Sequence, residues 1–394
     1  MAKLIEITGK ALSGEWGTDD VNGTGIPVLR TTNFTNEGII SYENVVTRVI
    51  AKKNIEEKYL MHGDIIIEKS GGSDKQPVGR VIFFDGPEHT YLFNNFTGLL
   101  RIKEKEKWEP KYVFYSLFAN YRNGGTKAFE NRTTGIHNLK IDDYVSSYEI
   151  KDINIEQQRD ICEKLDMIYG IIKLQEEQII KFDELMESRF IEMFGDPVVN
   201  PKGWETIRLT DLGTCKNGMN FRYDEDGFHI NCLGVGDFKN NSEICDTSAL
   251  SKVSLNEMPQ EEYLLKNGDI VFVRSNGNRE LVGRSVVVYP QNVPTTFSGF
   301  CIRFRNENEN VATVYLLRTL KTDSIRKKMM GRGANIQNLN QQILSKVIIP
   351  LPPLDFQNEF VAFVQQISKL KADEQQKLEK TQILFESLMQ TYFG

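Results

Sequence analysis

The sequence of 394 residues lacks any apolar run long enough to cross a membrane. Its longest apolar runs, such as residues 286–289, fall far short of the roughly 20 residues that a transmembrane helix needs. The N-terminal residues also lack the apolar segment of a secretory signal peptide. The sequence therefore predicts a soluble, cytoplasmic protein that is not exported.

Metal-binding and disulfide patterns are missing as well. The five cysteines form no Cys-x-x-Cys pair and have no histidine at a spacing that suits zinc. The four histidines are scattered along the chain without partners. We expect reduced, mostly buried thiols and no metal site. The residues concerned are Cys162, Cys215, Cys232, Cys245 and Cys301, with His62, His89, His137 and His229.

Signatures of catalysis are absent too. The sequence has no GxxxxGK[ST] phosphate loop, because residues 124–127 (GGTK) lack the first glycine and the final hydroxyl. It has no Asn-Pro-Pro-aromatic loop that would grip a flipped adenine, and the proline-rich residues 350–354 carry no polar side chain. The sequence thus predicts a chain without catalytic residues and without a cofactor of its own.

What the sequence does contain is two copies of one unit. Residues 158–195 match residues 357–394 at a constant offset of 199 without a gap, and both copies end in Phe-Gly. Residues 63–72 (GDIIIEKSGG) match residues 268–277 (GDIVFVRSNG), and shorter matches keep the same order elsewhere. The sequence between these matches diverges strongly, which is typical of a shared scaffold with two different binding surfaces.

Each copy ends in a segment whose apolar residues recur about every 3.5 residues, the pattern of a coiled-coil helix. Both helices are too long to be buried inside one module, so we expect them to pair with each other. In an antiparallel pair, Gln175 and Glu374 would meet near the middle; alternatively, each helix packs on its own module. The predicted pairing positions are Ile161, Leu165, Ile168, Ile172, Gln175, Ile179, Phe182, Met186, Phe360, Val364, Ile367, Glu374, Leu378 and Phe385.

A globular module precedes each helix. Short β-branched runs bounded by glycine predict buried strands, and helical patches are interspersed between them. This mixture predicts a mixed α+β fold for both modules. We expect the modules to span residues 1–153 and 196–350, with the long helices in residues 154–195 and 351–394. The recurring Gly-Asp pairs at residues 63–64 and 268–269 are interpreted as turns into strands rather than catalytic groups.

The formal net charge of −6 at first argues against a nucleic-acid partner. Residues 151–196 and 351–394 together carry −8, however, so the two modules together carry +2. Because salt screens charges beyond about 10 Å, a local basic face is sufficient for contacts with phosphates. The charge distribution therefore permits double-stranded DNA as a partner.

Basic and amide side chains are the groups that DNA binding requires. Those that recur in both copies suit phosphates, which any half-site offers, whereas unmatched ones suit base edges. The recurring candidates are Lys69 and Ser70 with Arg274 and Ser275, and Arg80 with Arg284. The unmatched candidates are Arg30, Lys75, Arg122, Lys127, Arg132, Arg279, Arg326, Lys327, Lys328 and Arg332, with Asn276, Asn278, Asn335 and Gln337 as adenine readers.

Two alternatives use the same residues differently. A metal-dependent nuclease would need converging carboxylates and a lysine, and Asp142 or Asp143 with Glu149 and Lys151 offers that spacing. The second copy has isoleucine and proline at the positions of Glu149 and Lys151, which argues against this role. The other alternative is a scaffold or dimerisation protein without any nucleic-acid contact.

Several motifs together resemble the specificity subunit of type I restriction-modification systems. They are the repeat itself, the Phe-Gly helix ends, the run IPLPPLxxQ at residues 349–357, and the segment FGDP…NPKGW at residues 194–204. The resemblance covers essentially the whole chain. It implies that residues 1–153 and 196–350 are two target recognition domains, each similar to the recognition domain of N6-adenine DNA methyltransferases.

The same resemblance implies how such a chain works. Each domain would read one half of a bipartite DNA site, and the two conserved helices would set the spacer between the halves. The helices would also dock two methylation subunits, which bring S-adenosylmethionine, while restriction subunits bring Mg²⁺ and ATP-driven cleavage. Apolar residues beyond the pairing positions, such as Ile171, Ile180, Phe190 and Phe363, would serve both pairing and docking.

Overall fold

The computed structural model describes residues 1–51, 55–133, 136–221, 227–239, 242–330 and 338–394, apart from the side chains of residues 132 and 133. The chain divides into two compact units. Unit 1 comprises Met1–Glu176 with Gln376–Gly394, and unit 2 comprises Glu177–Gln375. Both mix helices with strands, so the predicted mixed α+β class is confirmed.

In its described residues, unit 1 contains a series of short strands and three α-helices besides the long ones. Its strands are β1 Ala2–Lys3, β2 Leu12–Ser13, β3 Thr18–Asp19, β4 Ile26–Leu29, β5 Val46–Val49, β6 Ile65–Glu68, β7 Ser70–Gly72, β8 Val81–Phe83, β9 Leu92–Phe93, β10 Thr97–Leu100, β11 Glu130–Thr133, β12 Ile136–Leu139 and β13 Glu149–Ile150. Its helices are α1 Leu4–Thr8, α2 Pro110–Arg122 and α3 Ile141–Ser147.

Two helices of 40 residues, α4 Ile155–Phe194 and α8 Leu354–Phe393, contribute to both units. Unit 2 adds the helices α5 Thr313–Lys321, α6 Asp323–Met330 and α7 Gln341–Leu344. Its strands are β14 Thr206–Arg208, β15 Gly213–Asn217, β16 Phe228–Leu233, β17 Glu243–Ile244, β18 Lys252–Leu255, β19 Asp269–Val273, β20 Ser285–Val288, β21 Thr295–Phe297, β22 Cys301–Asn306 and β23 Ile348–Pro350.

The main sheets of the two units follow the same plan. In unit 1 the order is β2–β10–β6–β8, and in unit 2 it is β15–β22–β19–β20–β17. A second sheet has the order β3–β5–β4–β9 in unit 1 and β18–β16–β21 in unit 2. The inner strands β6 and β19 are buried at every position, which explains why their sequences are apolar on both faces except for Glu68 and Asp269.

The Gly-Asp pairs turn the chain into β6 and β19, as predicted. Gly63 and Gly268 have φ of +90° and +86°, values that favour glycine. The buried carboxylate of Asp64 accepts hydrogen bonds from Arg101 at 2.8 and 2.6 Å, and Asp269 accepts from Arg305 at 2.8 and 2.7 Å. These paired ions hold adjacent strands together, so the repeated aspartates are structural.

The long helices start at equivalent positions. Helix α8 begins directly after two prolines, whereas α4 begins after Asn154, whose side chain accepts a hydrogen bond from the backbone N–H of Gln157 at 2.8 Å. An asparagine cap thus replaces the prolines in the first copy, since both residue types favour helix starts.

A buried glutamine attaches each helix start to its module. The carboxamide of Gln158 accepts from the N–H of Glu109 at 2.9 Å and donates to two carbonyl oxygens. Gln357 accepts from the N–H of Ala312 at 2.9 Å and donates to the carbonyl oxygens of Asn310 and Pro352 at 3.0 and 2.8 Å. Both glutamines are fully buried. The start of each helix is therefore fixed to the globular part beside it.

Each unit contains one segment of each long helix. In unit 2, Phe194 of α4 packs against Phe356 of α8, and Asp183 forms an ion pair with Lys371, so the two segments run antiparallel. In unit 1, the ring of Tyr169 lies 6.2 Å from that of Phe385. No helix in the described part of the chain is long and apolar enough to cross a membrane.

Candidate nucleic-acid interface

The residues directly after β6 and β19 make the same backbone hydrogen bonds in both units. The N–H groups of Lys69 and Ser70 both donate to the carbonyl oxygen of Phe96, at 2.8 and 3.2 Å. The N–H groups of Arg274 and Ser275 donate to Phe300 at the same two distances. Each unit therefore presents a cation followed by a hydroxyl at the end of its central strand.

The side chains of these residues are partly exposed. The ammonium of Lys69 donates to Ser13 Oγ at 2.8 Å, and burial lowers the pKa of Lys69. Among the described residues, the guanidinium of Arg274 makes one long hydrogen bond, of 3.3 Å, to the carbonyl oxygen of Gly299. Arg274 thus retains most of its donors for an external acceptor.

Arg80 has an intramolecular role that the sequence did not reveal. Its guanidinium donates to both carboxylate oxygens of Glu68, at 3.1 and 3.0 Å, and to the carbonyl oxygens of Thr31 and Phe34. The Arg80 side chain is 14% exposed and that of Glu68 is 1% exposed. Because its donors are engaged inside unit 1, we leave Arg80 out of the proposed interface.

Arg284, the counterpart of Arg80, has different surroundings. The position of Glu68 is occupied in the second copy by Val273, which offers no charge. The only hydrogen bond of the Arg284 side chain in the described part of the chain is a long one, of 3.5 Å, to the carbonyl oxygen of Lys239. Arg284 can therefore contact an external anion.

In unit 1 the structure brings together Lys75, Arg122 and Lys127, which lie far apart in sequence. The hydroxyl of Tyr121 donates to the carbonyl oxygen of Pro77 at 3.2 Å, which ties the loop that carries Lys75 to the end of α2. Lys75, Arg122 and Lys127 are exposed. Arg122 forms an ion pair of 2.5 Å with an exposed glutamate of α8, which partly neutralises it.

In unit 2 an equivalent link joins the loop after β19 to α6. The guanidinium of Arg326 donates to the carbonyl oxygen of Glu280 at 3.0 Å. The loop exposes Asn278 and Arg279, and α6 exposes Lys327 and Lys328. The side-chain oxygens of Asn276 and Asn278 each accept a backbone N–H within the loop, at 2.7 and 3.0 Å. The orientation of both amides is therefore set by the loop itself.

The remaining predicted DNA-binding residues are either engaged within the chain or outside the described residues. The Arg30 guanidinium donates to the carbonyl oxygen of Asn44 at 3.0 Å, and its buried Nε has no partner among the described residues. The side chain of Arg132 lies outside the described part of the chain. Arg332, Asn335 and Gln337 also lie outside the described residues. Their predicted contacts with DNA stay predictions.

Most predicted pairing positions of the long helices are at least partly buried within their own unit. In unit 1, Leu165, Ile172 and Phe385 are buried in the same core, and Ile161, Ile168 and Leu378 pack against it. In unit 2, Met186, Phe360, Val364 and Ile367 are buried, and Phe182 packs against them. Ile179 and Gln175 are half-buried and Glu374 is buried. Gln175 and Glu374 belong to different units, so their predicted contact stays a prediction.

The additional apolar residues of the helices fall into two groups. Phe190 is buried in the core of unit 2 and Phe363 packs against that core. Ile171 and Ile180 are 42% and 58% exposed. Only the second group is therefore available for an external partner.

The residues considered for a nuclease do not form a metal site. Asp142 and Asp143 lie on α3, Glu149 lies on β13, and all three are exposed, as is Lys151. Within the described ranges, no group of three or more His, Cys, Asp or Glu side chains is arranged to hold a metal ion. The spacing in the sequence was therefore misleading, because the strand and helix point these groups to solvent rather than into one cleft.

The five cysteines are free thiols, three of them buried, and Cys245 is exposed. Burial raises the pKa of every one of them, to about 11 for Cys215 and Cys245. The thiols therefore stay protonated near neutral pH and are poor nucleophiles.

The sequence reasoning missed two cations on α5. Arg318 and Lys321 lie one turn apart; Arg318 contacts Met186 of α4, and Lys321 donates a hydrogen bond to Ser242 Oγ. Burial lowers the pKa of Lys321 to about 8. The repeat could have revealed these two residues. In the first copy the corresponding residues of α2 are Tyr115 and Phe118, so two aromatic residues are replaced by cations in the second copy.

In unit 1 these aromatic residues line a groove. It has a volume of about 830 Å³ and lies between α2, the segments of α4 and α8, and residues 36–39. Tyr115, Phe118 and Phe385 are among its lining residues. The groove also includes the ion pairs of Lys111 with Asp166 and Arg122 with Glu386. The places of Arg318 and Lys321 in unit 2 are therefore taken by aromatic residues in unit 1.

The known proteins that this chain resembles include specificity subunits of type I restriction-modification systems. A model of the "Type I restriction modification DNA specificity domain" matches residues 201–380. The chain is 26% identical over 369 residues to the type I restriction enzyme StySPI specificity subunit of Salmonella potsdam, covering 87% of this chain and 75% of that protein. It is 22% identical over 341 residues to the MjaVIII specificity subunit of Methanocaldococcus jannaschii, covering 79% and 78%.

Solved structures share the fold. The type I restriction-modification S subunit from M. genitalium matches with a TM-score of 0.54 and 14% identity, covering 100% of this chain and 95% of that one. A chain from a study of complex assembly in a type I R-M system matches with a TM-score of 0.60 and 16% identity, covering 100% and 96%.

Proposed function

We propose that the chain is a specificity subunit of a type I restriction-modification system and that it selects the DNA sequence on which such a complex acts, as its similarity to such subunits supports. The chain itself is a non-catalytic subunit. Each globular module, residues 1–153 and 196–350, reads one half of a bipartite double-stranded site. The nuclease and scaffold alternatives have no feature of the described residues in their favour.

The main observation in favour of this proposal is that the two units share one backbone arrangement after β6 and β19 but expose different side chains there. Lys69 and Arg274 stand at the same place, fixed by equal hydrogen bonds, and suit phosphate contacts in either half-site. The loops that follow differ, since unit 1 exposes Lys75 and unit 2 exposes Asn278 and Arg279. Side chains that differ between two modules are the ones that can distinguish two base sequences.

The two long helices set the distance between the half-sites and dock two methylation subunits. Exposed apolar residues support the docking role, since Met167, Ile171 and Leu174 are 68%, 42% and 66% exposed and lie on one face of α4. A coiled-coil pairing of α4 and α8 along their length provides the rigid spacer. The methylation subunits bring S-adenosylmethionine, and restriction subunits bring the site for ATP and Mg²⁺.

A binding experiment tests the recognition role. The chain is assembled with its methylation subunits and titrated against the duplex that carries the host's methylated motif, and against a duplex of the same composition with scrambled half-sites. We expect a preference of at least about 1000-fold for the motif at physiological salt. Equal affinity for both duplexes would show that the chain does not read sequence.

A second experiment separates the spacer from the half-sites. Inserting a few residues into α4 between Ile161 and Met193 changes the spacer length but not the half-site bases, and sequencing of methylated positions in the host genome reads out both. Exchange of residues 1–153 for another such module does the converse. Altered half-site bases with an unchanged spacer in the insertion variant would refute the assignment of α4.

A further inference from the structure

The junction between module and helices in unit 2 contains an unusual concentration of positive charge. Arg318 and Lys321 both lie in the last turns of α5, and both are only partly exposed. Lys371 of α8 and Arg326 of α6 are close enough to disfavour a charge on Lys321. The acidic groups that face this cluster are Asp183 and Glu187 of α4. Among the described residues, four cations therefore face two carboxylates.

Among the described residues, neither carboxylate forms an ion pair with a cation of α5. Asp183 accepts hydrogen bonds from Lys371 at 2.7 and 2.6 Å, so it already has a partner. Glu187 is exposed and forms no ion pair with Arg318 or Lys321 among the described residues. Among the described residues of unit 2, the cations of α5 consequently have no carboxylate as an ion-pair partner.

The nearest polar contacts of the α5 cations are weak acceptors. The guanidinium of Arg318 donates to the sulfur of Met186 at 3.2 Å, and the ammonium of Lys321 donates to Ser242 Oγ at 2.6 Å. A thioether and a hydroxyl stabilise a half-buried cation far less than a carboxylate does. We call Arg318, Lys321, Met186 and Ser242 the junction pocket. Because desolvated charges are unfavourable without a counter-ion, such a pocket favours an anionic group from outside.

The repeat identifies which kind of partner supplies that group. Tyr112 and Tyr315 donate to carbonyl oxygens at equivalent places, Lys151 and Pro350, at 3.1 and 2.8 Å, so α2 and α5 are aligned by these two tyrosines. Counting from them, the counterparts of Arg318 and Lys321 are Tyr115 and Phe118, which line the aromatic groove of unit 1. The groove also has charged lining residues, but Lys111, Arg122 and Lys173 are each paired with a carboxylate. A mainly aromatic groove with paired charges favours side chains of a protein over a phosphate backbone.

We propose that the junction pocket of unit 2 binds an acidic side chain, aspartate or glutamate, of a protein partner that packs against α5. The inference rests on the proposed function in that this partner is a methylation subunit. The two junctions then engage two copies of the same partner through different side chains, apolar in unit 1 and ionic in unit 2. Assembly at the second junction is correspondingly sensitive to salt and to the charge of Arg318 and Lys321.

Substitution of Lys321 tests the proposal because it separates binding from stability. Lys321→Met removes an uncompensated charge but keeps the length of the side chain. We expect the free chain to melt at the same or a higher temperature, while its affinity for the methylation subunit falls about tenfold or more. Lys321→Arg retains the charge and restores the affinity to within about threefold of the original chain. The matched control is Lys252→Met, an exposed lysine on β18, with no change in affinity.

Three outcomes contradict the proposal. If Lys321→Met lowers the melting temperature, the lysine is a structural residue. If affinity for the methylation subunit is unchanged, no acidic group of that partner enters the pocket. If assembly is unchanged and only the affinity for duplex DNA falls, the pocket binds phosphate instead. Sequence preference of the original complex is measured in parallel, because its absence refutes the proposed function, whereas its presence with normal assembly of Lys321→Met refutes only this inference.

Discussion

The attachment of α8 to unit 2 through Gln357 gives the most direct test of the structure. Gln357 is fully buried and makes three hydrogen bonds, one accepted and two donated. Gln357→Ala removes all three and leaves the N–H of Ala312 and two carbonyl groups without partners. A lost hydrogen bond that leaves a buried group unsatisfied costs about 1–3 kcal/mol, and water entering the space recovers part of this. We therefore expect the free energy of unfolding to fall by roughly 3 kcal/mol.

Equilibrium unfolding in urea, followed by circular dichroism and tryptophan fluorescence, measures this loss. Trp204 is a local reporter, because its ring lies 5.9 Å from that of Phe356 in the first turn of α8. Gln366→Ala, at an exposed position of the same helix, is the control and should change stability by less than about 0.5 kcal/mol. Gln357→Glu should be at least as damaging as alanine, because a carboxylate would face two carbonyl oxygens. Equal stability of Gln357→Ala and Gln366→Ala would refute the reasoning.

Three further predictions concern charged groups. Arg80→Gln should lower the free energy of unfolding by about 3 kcal/mol, because it leaves the buried Glu68 unpaired. Arg284→Gln should change the free energy of unfolding by less than about 1 kcal/mol. Unfolding of both variants in urea measures the difference. The pKa of Lys321 is lowered from 10.5 to about 8, so the unfolded chain binds more protons between these values and stability rises with pH across that window. This rise in the free energy of unfolding, on the order of 3 kcal/mol, should be missing in Lys321→Met. Equal profiles of stability against pH for the original chain and Lys321→Met would contradict the prediction. Lys327→Gln should reduce the slope of log affinity for DNA against log salt by about 0.9 if this exposed lysine contacts one phosphate; an unchanged slope places it outside the interface.

The long helices were within reach of sequence reasoning. Their apolar spacing predicted helices within residues 154–195 and 351–394, and the structure has them at Ile155–Phe194 and Leu354–Phe393. A helical pattern is a local property, because side chains three and four residues apart share a face whatever surrounds them. The start of α4 was less evident, since the prolines of the second copy are replaced by a single asparagine, Asn154, that caps the helix with its side chain.

The basic candidates show where such reasoning ends. Arg80 and Arg284 occupy matching places in the repeat and were interpreted alike, but only Arg80 faces a buried glutamate from the adjacent strand β6. Arg318 and Lys321 were overlooked, because neither belongs to a motif and their significance depends on Asp183 being engaged by Lys371. The sequence gives the identity of each charged side chain, but the group it pairs with comes from a distant part of the chain and is known only from the folded structure.

The sequence by itself thus determined the two-copy plan, the extent of the two long helices and the mixed composition of the modules, because these depend on periodicity and on repeated local patterns. The tertiary structure decided which cations are neutralised inside the chain and which remain available to a partner. The physical reason is that the free energy of a charge depends on burial and on the groups within a few ångströms of it. Those groups come from strands and helices that lie far apart in the sequence.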